Sequence, residues 1–170
     1  MLSVAFFRNL NQGQRGSPST AQFVTAFVES GAVGATSFQS NGTMLLDAQN
    51  PTACTRSAVA WLTANSEWSD AAFVRSAGWL TGVLAAARID ATRAARTELS
   101  LFDESCSPAG ILPLTGKRCT VVSGGPGFAI TENERDDESN ATPTLERALG
   151  IPVTSRGFPT LSRLMERLAR

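Results

Sequence analysis

The first fifty residues constrain this chain most. Val4-Ala5-Phe6-Phe7 is an unbroken apolar run and reads as a buried strand. It enters a polar loop, Arg8-Asn9-Leu10-Asn11-Gln12-Gly13. Ser19, with Gln22 three residues on, has the spacing of a capping box. The helix behind it presents Phe23, Val24, Phe27 and Val28, and it stops at Gly31. Strands over residues 36–39 and 43–47 flank Asn41-Gly42, the pair expected of a two-residue hairpin turn. Asn50-Pro51 opens a second helix with Cys54, Ala58, Trp61 and Leu62 on one face. Residues 72–75 close the set as a fourth strand. The order is βαββαβ, that of a ferredoxin-like unit.

The order recurs in the second half. Ser76 caps a third helix with Leu80, Val83, Leu84 and Ala87 facing inward. Residues 88–96, rich in Ala and Arg, extend that helix or link it onward. Residues 97–102 read as a strand. Residues 107–114 are irregular or a short broken helix, interrupted by Pro108, Gly110 and Pro113. Strands over 119–122 and 128–130 surround Gly124-Gly125-Pro126-Gly127. Thr142-Pro143 opens a helix that ends at Gly150, and Val153-Thr154 form a last strand. Thr160 caps a final helix with Leu161, Leu164, Met165 and Leu168 inward. The expected class is α+β, with two ferredoxin-like (βαββαβ) units in one compact body. The expected division is a first unit over 1–76, a connecting helix or linker over 77–96, and a second unit over 97–170.

Composition removes whole classes of chemistry. The chain has no histidine, so Ser-His and Cys-His pairs and histidine metal sites are out. Cys54, Cys106 and Cys119 are an odd number without metal-ligand spacing, which argues against a disulfide framework and a zinc site. No metal and no cofactor are expected. The net charge of zero argues against a broad nucleic-acid footprint. No apolar run reaches the ~20 residues of a membrane span, and no basic segment precedes an apolar signal core. The expected compartment is the cytoplasm. The sequence assigns no oligomeric state.

The first two strands of a βαββαβ unit are parallel and the third runs against them. The loop after strand one and the hairpin between strands two and three therefore share one sheet end. Arg8, Asn9, Asn11, Gly13, Gln39, Ser40 and Asn41 are expected there. A guanidinium fork suits carboxylate or phosphate, and a glycine backbone admits close approach. The plainer reading is that these side chains only tie the two loops together. Arg156 and Thr160, at the start of the last helix, form a second candidate anion site, against a reading of simple capping beside a surface arginine.

Other features read as structure. The acidic residues Glu132, Glu134, Asp136, Asp137 and Glu138 lack calcium-loop spacing and read as a solvated, mobile loop. Lys117 and Arg118 read as solvated charges before a strand. The Gly124–Gly127 segment lacks the Lys-Ser/Thr of a phosphate loop. Cys106, beside Asp103 and Glu104, lies in a setting wrong for a nucleophile. Arg163, Arg167 and Arg170 make a solvated helix face.

Three of these segments carry a resemblance. Arg8-Asn9-Leu10-Asn11-Gln12-Gly13-Gln14 is similar to Arg-Gly-Ile-Asn-Val-Gly-Gly, the opening pattern of the bacterial family called domain of unknown function 1697. Asn9 and Gln14 replace glycines of that pattern. Gln39-Ser40-Asn41-Gly42 resembles its Gln-Ser-Gly-Asn with the last two residues exchanged. Thr154-Ser155-Arg156-Gly157-Phe158-Pro159-Thr160 resembles its Thr-x-Arg-Asn-x-x-Thr, with Gly157 in place of asparagine. The resemblance covers nearly the whole chain and implies two ferredoxin-like units. It implies no substrate.

No catalytic residue is named by the sequence. The expected function is binding of a small anionic or nucleotide-like ligand at the 8–13/39–42 sheet end. One alternative is an enzyme using that end for electrostatic stabilisation, which needs a carboxylate such as Asp47 or Asp103 nearby. Another is nucleic-acid binding, which needs exposed strand aromatics among Phe6, Phe7, Phe38, Phe73 and Phe102.

Overall fold

A computed structural model describes residues 1–169. Arg170, the last of the arginine row, lies outside the described residues. The chain divides into two units, Met1–Leu80 and a second that begins at Thr81. Both are α+β and ferredoxin-like.

The first unit runs β1 (Leu2–Phe7), α1 (Thr20–Glu29), β2 (Gly34–Phe38), β3 (Thr43–Asp47), α2 (Pro51–Asn65) and β4 (Ala72–Ser76). The sheet order is β2-β3-β1-β4 and every neighbouring pair is antiparallel. Ser19 and Gln22 form the capping box of α1, each side chain bonding the other's backbone N–H. Asn50 caps α2 through the Ala53 N–H, with Pro51 in the first turn. The core joins Ala5, Phe7, Met44 and Leu46 of the sheet to Phe23, Phe27, Ala58 and Leu62 of the helices. The Phe7 ring lies 4.9 Å from Phe23, 5.8 Å from Phe27 and 5.2 Å from Trp68. Each such ring contributes about 2–3 kcal/mol by burial.

Two expectations for this unit are corrected. Val28 is 55% exposed, and Ala26 replaces it in the core. At about 100° per residue, Val28 sits roughly 140° round the helix from Phe23, off the buried stripe. The hairpin between β2 and β3 is closed by the pair Phe38↔Thr43 and so contains four residues, 39–42, not two. Gln39 (φ 57°) and Gly42 (φ 68°) take its left-handed positions. At Gly42 this is obligatory. A Cβ there would lie 2.8 Å from the Leu10 carbonyl oxygen and 2.9 Å from the Leu10 Cβ.

Helix α3 (Ala77–Ala87) starts on the Ser76 hydroxyl, which accepts from the Trp79 N–H at 3.1 Å. It crosses the division between the units. The second unit continues with α4 (Ala91–Ala94), β5 (Thr97–Leu101), a 3-10 turn at Ala109–Ile111, β6 (Leu114–Gly116), β7 (Cys119–Gly125) and β8 (Phe128–Asn133). It ends with α5 (Ala141–Leu149), β9 (Thr154–Gly157) and α6 (Phe158–Leu168). Its sheet order is β6-β7-β8-β5-β9, again antiparallel throughout. The 3-10 turn stands where the first helix of the pattern would be. Phe102, Val121, Ala129, Leu145 and Val153 form a core cluster.

Strand β6 is an addition to the expected order. The pair Gly116↔Cys119 closes a two-residue hairpin at Lys117-Arg118, with Arg118 at φ 57°. These two exposed residues are that turn, directly ahead of β7, where solvated charges were expected. The acidic run is also held in place. Glu132 pairs with Arg93, Glu138 with Arg118, and Asp136 with Arg96. Its backbone is fixed as well: the Glu134 N–H donates to Arg118 and the Asp137 N–H to Ala95, each at 2.9 Å. Thr160 does not cap α6. Gly157 is the N-cap and carries no side-chain bond, and Thr160 falls inside the first turn. Pro159 has no N–H to offer and is suited to that first turn, so the helix starts ahead of it.

Candidate functional site

The polar end of the first sheet is built by the return of the chain. Beyond β1, Arg8 leaves the sheet and Asn9 turns it with φ 51°. The Phe7 N–H donates to the Gly42 carbonyl at 2.8 Å, and the Gln12 N–H to the Ser40 carbonyl at 2.8 Å. These two bonds fix the 8–13 loop against the 39–42 turn. Arg8, Asn9, Asn11, Gly13, Gln39, Ser40 and Asn41 therefore occupy adjoining loops at one sheet end. Asn9, Asn11, Gly13, Gln39 and Ser40 are exposed there.

Two residues not foreseen from the sequence organise this end. Gln12 is buried. Its Nε2 donates to Ser37 Oγ at 2.7 Å and to the Gln39 carbonyl at 3.3 Å. Its Oε1 accepts from Thr20 Oγ1 at 2.8 Å and is within 2.9 Å of Ser37 Oγ. One side chain thus ties the loop to α1, β2 and the turn. Asp70, just ahead of β4, accepts from Arg8 Nη1 at 2.7 Å and from Asn9 Nδ2 at 2.9 Å, both on Oδ2. Its Oδ1 accepts from the Ala71 N–H at 2.7 Å. The Trp68 indole N–H donates to the Arg8 carbonyl at 2.9 Å. The Arg8 and Asp70 side chains are 25% and 19% exposed, so the pair is partly shielded but reachable. No spacing rule links Arg8 to a partner 62 residues away. Gln12 lay inside the loop motif, and its burial was its only missing signal.

The carboxylate at this end is therefore Asp70. Asp47 lies at the opposite end of the sheet, paired in register with Leu2 and Gly34, and its side chain meets the Met1 amino group at 2.5 Å. Asp103 belongs to the second unit, where its Oδ1 accepts from the Ser105 N–H at 2.8 Å. Phe6, Phe7 and Phe102 are buried and offer no stacking surface; Phe38 and Phe73 are half-buried.

Arg156 and Thr160 belong to the second unit. Arg156 stands on β9 opposite Leu99. Its Nη1 donates to Thr154 Oγ1 and to the Ser155 carbonyl, both at 2.9 Å. Burial pushes its pKa down to about 10, which leaves it charged at neutral pH. Thr160 lines a cavity that also includes Glu98, Glu138 and Arg163. Arg156 is not among that cavity's lining residues. Among the described residues no group of three His, Cys, Asp or Glu side chains is arranged to hold a metal ion. Among the described residues no helix is long and apolar enough to cross a membrane.

Comparison with known protein families and with curated proteins gives no match. Among solved structures the chain is similar to the conserved bacterial protein SP0830 from Streptococcus pneumoniae. The TM-score is 0.67 at 13% sequence identity, over 99% of this chain and 98% of that one. The likeness is one of fold, and it extends over both units.

Proposed function

We propose that this is a binding protein whose first unit receives a small anionic or nucleotide-like ligand at the 8–13/39–42 sheet end. The carrying observation is that Arg8 and the exposed amides of Asn9, Asn11 and Gln39 are presented together on loops locked by backbone bonds. A guanidinium suits phosphate or carboxylate, and amide groups suit the polar edges of a nucleotide. Asp70 pairs with Arg8, and an incoming anion exchanges with that carboxylate.

The resemblance to domain of unknown function 1697 enters here as part of the same reading. Asn9 stands where that pattern has glycine, and its φ of 51° is one that glycine adopts freely and asparagine tolerates better than most residues. Three free cysteines suit a reducing compartment, which supports the cytoplasm. The enzyme alternative needs a general acid or base at this end. Both oxygens of Asp70 already accept hydrogen bonds, which favours binding over catalysis.

Calorimetric titration of inorganic phosphate and of a nucleoside monophosphate into wild type, Arg8→Ala and Asp70→Asn tests the proposal. Removing the competing carboxylate tightens binding, and removing the guanidinium abolishes it. Absence of saturable binding in both wild type and Asp70→Asn would overturn it.

A further inference from the structure

The second unit contains a buried carboxylate whose hydrogen bonds are one-sided. Glu98, on β5, is only 4% exposed. Among the described residues, all hydrogen bonds of its carboxylate fall on one oxygen. Oε2 accepts from Asn133 Nδ2 at 2.9 Å, from the Asn140 N–H at 3.2 Å and from the Ala141 N–H at 3.1 Å. These bonds seat the carboxylate at the N-terminus of α5, whose dipole offers partial positive charge. No Arg or Lys side chain among the described residues forms an ion pair with it. Buried charges are ordinarily paired, because desolvation is costly.

The second oxygen has no hydrogen-bond partner among the described residues. Glu98 lines a cavity of about 320 Å³, together with Asp137, Glu138, Ser139, Thr160 and Arg163. Three of the lining side chains are acidic and one is basic. Glu138 is already paired with Arg118. Among the described residues Arg163 reaches only toward the Thr160 hydroxyl, at 3.4 Å, on the α6 side of the cavity.

We infer that this cavity binds the primary ammonium group of a small molecule, donated to Glu98 Oε1. An aliphatic ammonium is protonated at neutral pH. It supplies the cationic donor that the buried oxygen lacks, and the acidic lining favours it over an anion. A simple amine and an amino acid both bring this group. The first turn of α6 and Arg163 face the same cavity, where a carboxylate would be held only by an amino acid.

The test is an amide-shift titration of the intact protein by NMR with three probes: methylammonium, a 1,4-diamine and glycine. Saturable shifts centred on residues 97–98, 137–141 and 157–163 are expected. Response to the amines alone assigns a free amine, and response to glycine alone assigns a zwitterion. Absence of saturable shifts with all three overturns the inference. Glu98→Gln sharpens the test. Its amide oxygen can keep the three bonds now made to Oε2, which turns an NH2 donor toward the cavity. Affinity should fall about tenfold or more, as for loss of a charged hydrogen bond. Unchanged affinity in a folded Glu98→Gln protein would overturn the assignment of Glu98. If that variant fails to fold, Asp137→Asn at the cavity rim serves instead. A severalfold loss supports the inference, and shifts in wild type that map outside the cavity overturn it.

Discussion

Arg8 donates to Asp70 Oδ2 at 2.7 Å, and the Asn9 amide meets the same oxygen at 2.9 Å. One carboxylate thereby ties the strand that opens the first sheet to the strand at its edge. The backbone repeats the tie, with the Arg8 N–H donating to the Ala71 carbonyl at 2.9 Å.

Arg8→Ala should lower stability by about 1–2 kcal/mol, more than a fully exposed pair would cost, because both partners are mostly covered. Asp70→Asn should cost a similar amount. Urea melts of the two single variants and the double variant form a cycle, and a coupling near zero would show that the pair contributes nothing.

Gly42 and Gly13 both have positive φ, 68° and 78°, but their surroundings differ. A Cβ at Gly42 would strike Leu10 and the Phe7 carbonyl, whereas one at Gly13 would meet no atom within 4 Å. Gly42→Ala should cost about 3 kcal/mol or more, and Gly13→Ala about 1 kcal/mol. Equal losses in denaturant unfolding would refute the packing argument at Gly42.

Gln12→Ala removes a buried amide that serves Thr20, Ser37 and Gln39. A loss of about 2–3 kcal/mol is expected from the groups left unpaired. Hydrogen exchange should quicken at the Gln12 N–H and across residues 39–42, while the core strands stay protected. Uniform acceleration over the whole unit would contradict a local staple.

Burial pushes the Cys54 thiol above its ordinary value of 9.0. As pH rises past that value the unfolded chain loses its proton first, so the folded state binds more protons. Stability must then fall with rising pH through the window between the ordinary and raised values. Cys54→Ala should flatten this alkaline slope in urea unfolding. In native protein near neutral pH, iodoacetamide should label the half-buried Cys106 before the buried Cys54 and Cys119. Labelling of Cys54 first would refute the burial argument.

Local signals in the sequence determined most of the element order. Ser19 with Gln22, Asn50 with Pro51, and Gly150 at φ 68° each act within about one helical turn, so covalent spacing alone specifies them. The alternation of strands and helices in the first unit is legible for the same reason. The tertiary structure decided everything that depends on where the chain returns. Gly42 sits in a four-residue turn because its carbonyl receives Phe7 and Leu10 packs against it. Leu114–Gly116 becomes a strand because β7 offers an edge to pair with. Asp70 meets Arg8 from 62 residues away, and Glu98 meets the start of α5 from 43 residues away. No local propensity encodes such encounters, since their free energy comes from pairing and desolvation between segments that are distant in the chain.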